Sequence, residues 1–240
     1  MKSEAIPPGS FHTTRWSIVL AAGTQDSQGG TALGELCRLY WYPLYAFVRR
    51  QGHPPHDAQD LTQEFFARLI EKEWLGGLAR ERGRFRSWLL ASMRHFLANE
   101  WHRQRTQRRG GGAQIVSLDE RDAEDRYLHE PAALTEPEQL FDRRWALTLV
   151  DEVLARLRAE MTAAGKVSHF ETMKGALAGG ALDYAACAAQ LGMKEGALRV
   201  AVHRLRERYR ELLRAAIAET VASPGEIEDE LRHLLAALSV

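Results

Sequence analysis

Residues Leu182–Leu213 read LDYAACAAQLGMKEGALRVAVHRLRERYRELL. The stretch has the grammar of two helices joined by a tight turn, the second carrying a run of arginines. Gly192 can take positive φ at the turn without a Cβ clash. Ala188, four residues earlier, is small enough to let the second helix cross closely. Leu198 would drop between the helices, with Val202, Leu205 and Tyr209 continuing its stripe at helical spacing. Arg199, His203, Arg206 and Arg210 fall on an adjacent face. A basic second helix suits the major groove of duplex DNA. An amphipathic hairpin with merely solvated arginines is the plainer reading of the same residues.

A chain of 240 residues has room for one large domain or two modest ones, and for a real hydrophobic core. Lys+Arg and Asp+Glu are equal at 32 each, which argues against a uniformly basic nucleic-acid binder. The positive charge is nearly all arginine, which suits bidentate phosphate and guanine contacts. Cys37 and Cys187 are far apart and lie among apolar residues, so two buried reduced thiols are expected, with no metal set and no cofactor. No stretch approaches a membrane span and no basic start leads into an apolar run, so a cytoplasmic protein with no membrane partner is expected.

Upstream of the hairpin the pattern is helical throughout. Residues 13–22 suggest a short helix and 23–30 a glycine-rich loop. Leu33, Leu36, Cys37, Tyr40, Leu44, Phe47 and Val48 mark a helix over 31–51 that Pro43 should kink or split. Gly52-His53-Pro54-Pro55 is a break, where His53 and His56 read as exposed loop residues rather than metal ligands. In the next helix, His56 to Lys72, the acids Asp57, Asp60, Glu64 and Glu71 share one narrow face beside Leu61, Phe65 and Leu69. From Arg80 to Arg109 nine arginines face two glutamates, interleaved with Phe85, Trp88, Leu89, Met93, Phe96, Leu97 and Trp101. Basic residues among aromatics suit backbone phosphates and stacked, unpaired bases.

Beyond Gly110-Gly111-Gly112 the charge flips. Leu118 to Asp142 holds nine acids against Arg121 and Arg126, and reads as a flexible acidic linker. A strong helix follows from Pro137 to about Ala164, then a short one over 167–177, then the hairpin. After Ser223-Pro224-Gly225 comes a last amphipathic helix, expected to pack back on the C-terminal domain or bind a regulator. With no alternating strand pattern, the chain is expected to be all-α, with two helical domains joined by an acidic linker.

Three segments now match one family in order and spacing. DAQDLTQEFFARL (Asp57–Leu69), FRSWLLASMRHFLANEWHRQRTQRR (Phe85–Arg109) and the helix-turn-helix beyond the linker resemble bacterial RNA polymerase sigma factors of the extracytoplasmic-function group. The resemblance implies a region-two-like domain over 12–109, a linker over 110–137, a region-four-like domain over 138–220 and an extension over 221–240. It implies that Asp57, Asp60, Leu61 and Glu64 dock on core RNA polymerase. It gives Arg84, Arg86, Trp88, Arg94, Asn99, Arg103 and Arg105 to melted promoter DNA at the minus-ten element. Lys194, Arg199, His203, Arg204 and Arg206 would read duplex DNA at the minus-thirty-five element. An anti-sigma factor or a regulatory kinase are further possible partners, and Thr62 beside the acidic face is a conceivable phosphate site.

The chain departs from the family at Gln59, often glutamate, at His95 and Asn99, and at Val200-Ala201, where Ser-Arg is common. The reading that follows is a promoter-specificity subunit and not an enzyme. The alternative is a helix-turn-helix regulator with an N-terminal sensor or dimerisation domain, which would have no need of a second basic aromatic surface. A nuclease built on Asp57, Asp60 and Glu64 lacks a phosphate loop or a Cys/His cluster.

Overall fold

A computed structural model describes residues 27–71, 84–106, 120–132, 136–218, 220–221 and 223–239. Among them every regular element is helical: α1 (Ser27–Arg50), α2 (Pro55–Glu71), α3 (Phe85–Thr106), α4 (Glu120–Leu128), α5 (Pro137–Ala163), α6 (Val167–Met173), α7 (Tyr184–Gln190), α8 (Glu195–Ala218) and α9 (Ile227–Leu238), with 3-10 turns at Lys174–Ala178 and Pro224–Glu226. The helix expected over 13–22 lies outside the described residues.

The chain forms two compact units. One comprises the chain up to Trp145 together with Glu219–Val240; the other is Ala146–Ala218. This partition differs from boundaries placed at 110–137 and 221–240. The acidic segment and the C-terminal extension both find partners on the first unit, and α5 contributes its opening turns there.

The first unit is built on α1, α2 and α3. The α1 residues Tyr40, Leu44, Phe47 and Val48 are almost fully buried, as are Phe65 and Leu69 of α2 and Phe85, Leu89, Met93 and Phe96 of α3. Edge-on ring pairs tie the three helices: Tyr40 to Phe85 at 5.4 Å and Phe65 to Phe96 at 5.7 Å. Of the expected kink or split at Pro43 the split does not occur, since α1 runs through it as one helix, and α1 starts four residues before the expected start at Thr31. A proline in a helix interior costs about 3 kcal/mol. Buried residues on both sides of Pro43 hold the helix together across it.

The acidic segment is not a free linker where it is described. Its helix α4 is clamped to α1. Glu124 accepts from Arg49 Nε at 2.9 Å and Nη2 at 2.7 Å, and from the Tyr45 hydroxyl at 2.6 Å. Tyr42 donates to Glu130 at 2.6 Å, and Arg144 also pairs with Glu130. Ala123 is buried, and Arg49 stacks over the Tyr127 ring at 4.6 Å. The Arg49 hydrogen bonds hold the Glu124 carboxyl below its ordinary range, and burial pushes the Tyr42 and Tyr45 hydroxyls up.

The second unit packs the remainder of α5 with α6, α7 and α8. Leu149, Val153 and Leu157 of α5 join Phe170, Met173, Leu198, Val202 and Leu205 in its core. Arg208 of α8 grips Glu160 of α5 through Nε at 2.8 Å and Nη2 at 2.9 Å, which raises the guanidinium and lowers the carboxyl from their ordinary pKa values. The two cysteines are free thiols and half-buried rather than buried; desolvation pushes Cys37 up to about 11.

Candidate nucleic-acid interface

The turn between α7 and α8 follows from its residues. Asp183 caps α7, its carboxylate accepting from the Ala186 N–H at 3.0 Å. Gly192 takes φ of 62°. The Met193 N–H reaches the Ala188 carbonyl at 3.0 Å and the Gly192 N–H reaches that of Ala189 at 3.2 Å, the paired closure of a left-handed helix C-cap. Ala188 and Leu198 are buried at the helix crossing.

Once α8 is fixed this way, its arginines are not equivalent. Arg206 donates Nε and Nη2 to the Ala176 carbonyl at 3.1 and 3.0 Å, closing the 3-10 turn before α7. It serves the unit's own backbone. Arg199 lies over the Tyr184 ring at 4.3 Å with Glu195 at 3.2 Å, so its exposed guanidinium is held in one place. Arg210 is paired with Glu207. Lys194, His203 and Arg204 are exposed, with Val200 among them at 50% exposure. The outward face of α8 is therefore narrower than the sequence pattern implied, and it centres on Val200. That residue stands ~200° round the helix from buried Leu198.

On α2, Asp57 and Asp60 are exposed, and Asp60 lies 3.1 Å from His56. Glu64 is half-exposed and pairs with Arg68 at 2.7 Å. Arg68 also reaches Glu100 of α3 at 2.5 Å and covers the Phe96 ring, so it joins the two helices. Leu61 is buried in the core and does not belong to the exposed face. Gln59 is buried as well, so a glutamate there would not have joined an exposed acidic patch. Thr62 is fully buried and donates to the Ala58 carbonyl at 2.7 Å, which removes it as a phosphate site.

On α3, Asn99 and Arg94 are exposed, and Arg94 pairs with Glu138. Trp88 is half-buried and stacked on Phe85 at 5.6 Å. The side chains of Arg103 and Arg105 lie outside the described residues. Arg86 is buried at 6% exposure. Its Nε donates to Glu230 at 2.7 Å and its Nη1 to Asp142 at 2.6 Å, while it lies 4.8 Å over the Trp145 ring. Burial alone would push the Arg86 guanidinium down, but the two carboxylates outweigh it and leave the group above its ordinary value. Arg84 Nε also approaches Glu230, at 3.0 Å. The C-terminal helix is thus seated on α3 and on the start of α5.

Two of these partners have a signature in the sequence. Glu230 sits on the apolar stripe of α9 between Ile227 and Leu234, and an acid in that position is usually buried against a cation. Tyr184 follows the capping residue of α7, one helix away from the arginine it holds.

Residues 38–107, which take in the C-terminal half of α1 and all of α2 and α3, match the sigma-70 region 2 family. The chain is 29% identical over 201 residues to the ECF RNA polymerase sigma factor SigE of Mycolicibacterium smegmatis, an alignment covering 83% of this chain and 68% of that protein. No solved structure matches. An all-helical chain thus carries a sigma-70 region 2 over residues 38–107. Together the two comparisons support a sigma factor of the extracytoplasmic-function group. Among the described residues no helix is long and apolar enough to cross a membrane, and no cluster of three or more His, Cys, Asp or Glu is placed to hold a metal ion.

Proposed function

We propose that the chain recruits core RNA polymerase to a subset of promoters and starts transcription there, with no catalytic chemistry of its own and within the cytoplasm. The observation that carries this reading is that the region 2 match spans α2, whose Asp57 and Asp60 are exposed, and α3, whose Arg94 and Asn99 are exposed. Asp57, Asp60 and Glu64 would meet a basic surface of the polymerase. Arg84, Trp88, Arg94 and Asn99 would meet the melted minus-ten strand, where phosphate and base faces are both accessible. Lys194, Arg199, His203 and Arg204 would meet the upstream duplex. An anti-sigma protein would act by covering one of these surfaces. The sensor-domain alternative is not favoured, because region 2 occupies the N-terminal half that it assigns to a sensor.

In vitro transcription with core polymerase, with and without the chain, followed by start-site mapping, tests this. The expected result is a set of start sites that depend on the chain; their absence overturns the proposal.

The different settings of two neighbouring arginines give a sharper test. Arg204→Ala is expected to weaken binding to a mapped promoter duplex by roughly 1–3 kcal/mol, the range for a residue that reads a base, at unchanged melting temperature. Arg206→Ala is expected to lower the melting temperature instead, because the Ala176 carbonyl loses both its donors. Anisotropy titration and a thermal scan of each variant distinguish the two. Loss of DNA affinity by Arg206→Ala without loss of stability would reverse the assignment.

A further inference from the structure

Arg84 and Arg86, at the start of α3, which the family resemblance gives to promoter DNA, already hold a carboxylate. Glu230 of α9 has no exposed surface. Its Oε1 accepts from Arg86 Nε at 2.7 Å, and its Oε2 accepts from Arg86 Nη2 at 3.2 Å and lies 3.0 Å from Arg84 Nε. Asp142 takes the remaining side of Arg86, and Arg94 pairs with Glu138. A guanidinium fork binds a carboxylate and a phosphodiester with the same two parallel N–H bonds. Glu230 therefore occupies the position in which a DNA phosphate would be bound, and Arg86 cannot meet solvent or DNA while α9 is seated.

The seat of α9 is also more polar than a permanent core contact. In the helix only Leu234 and Glu230 are fully buried, and Leu235 is 57% exposed. Its other ties include polar ones: His233 Nε2 lies 3.0 Å from Asp142 Oδ2, the Leu238 carbonyl accepts from Arg143 at 3.2 Å, and the His233 ring lies 6.3 Å from that of Trp145. The helix is entered through Ser223-Pro224-Gly225, a segment with its own short turn. A helix held by exchangeable ion pairs and one buried leucine can be displaced by a polyanion without opening the rest of the core.

We propose that α9 is a built-in competitor of DNA: Glu230 closes the Arg84–Arg86 site in the free chain, and a backbone phosphate of the promoter takes its place on loading. The inference rests on the reading of α3 as a promoter contact.

The test uses the full chain in complex with core polymerase and a promoter fragment from the mapped set. Glu230→Gln keeps the shape but removes the charge and one of the two acceptor oxygens facing Arg84 and Arg86, and is expected to tighten promoter binding about 5–10-fold. Glu228→Gln, an exposed acid on the same helix, makes the same change in net charge and is expected to leave binding unchanged. Amide exchange in the wild-type complex supplies a readout that needs no variant. The amides of residues 227–238 are expected to be protected in the free chain and to exchange rapidly once promoter is bound. Equal promoter affinity of Glu230→Gln and wild type, or protection that persists in the promoter complex, overturns the competitor. If no form of the chain binds promoter, the reading of α3 falls and the competitor with it; if promoter binds while α9 stays protected, only the competitor falls.

Discussion

Asp60→Lys and Glu64→Lys are each expected to reduce binding to core RNA polymerase by about 100-fold or more, which is ~2.8 kcal/mol, and to leave the melting temperature within a few degrees of wild type. The size follows from replacing an attraction by a repulsion at a charged interface, where close opposite pairs couple by about 1.5–7 kcal/mol. The unchanged stability follows from the setting. The Asp60 side chain is 64% exposed, and its His56 contact is a surface pair of the kind worth about 0–1 kcal/mol. Glu64 shares Arg68 with Glu100, so Arg68 keeps a buried carboxylate when Glu64 is reversed. Pull-down or interferometry with purified core polymerase supplies the affinity, and calorimetry the stability. Retained binding by both variants refutes the docking face, and loss of binding together with loss of structure refutes the claim that the face is separate from the core.

That face was legible because its information is local. Asp57, Asp60 and Glu64 lie within two turns, and the apolar stripe beside them identifies the inward side. The same holds for the Leu198, Val202 and Leu205 stripe and for the glycine turn before it, since each repeats within its own helix. What could not be read locally depends on partners remote in the chain. Glu230 and Arg86 are 144 residues apart, and Glu124 and Arg49 are 75 apart. An acidic segment rich in charge and punctuated by prolines looks solvated until Arg49, Tyr42 and Tyr45 are seen to face it. Arg206 looks like a DNA contact on a helical wheel, yet a backbone carbonyl 30 residues upstream claims it. Gln59 and Thr62 flank Asp60 but face inward, because a narrow acidic stripe leaves their angles to the core. Helix periodicity thus locates faces well, and fails where one side chain is recruited across the fold.

Leu198→Ala is expected to destabilise the helix-turn-helix unit by about 2–5 kcal/mol, the range for emptying a fully buried leucine site. Leu198 has no exposed surface and lies where α8 crosses α7 beside buried Ala188. Small domains hold roughly 0.05–0.15 kcal/mol of stability per residue, so a unit confined to Ala146–Ala218 has only a few kcal/mol to lose. The site also has little means of collapsing, because the α7–α8 turn is closed by its own carbonyl hydrogen bonds and Gly192 fixes its hand. A thermal scan should therefore show melting of this unit at a markedly lower temperature, and affinity for promoter duplex should fall steeply across that transition and recover on cooling. Polymerase binding should persist, because Asp57, Asp60 and Glu64 belong to the other unit. Val200→Ala provides the contrast within the same helix: its side chain is half-exposed, so stability should stay within about 0.5 kcal/mol of wild type, and any change in duplex affinity reports on the surface alone. If Leu198→Ala melts like the wild type, Leu198 is not the residue that locks the two helices together, and the orientation of Lys194, His203 and Arg204 must be set by something else.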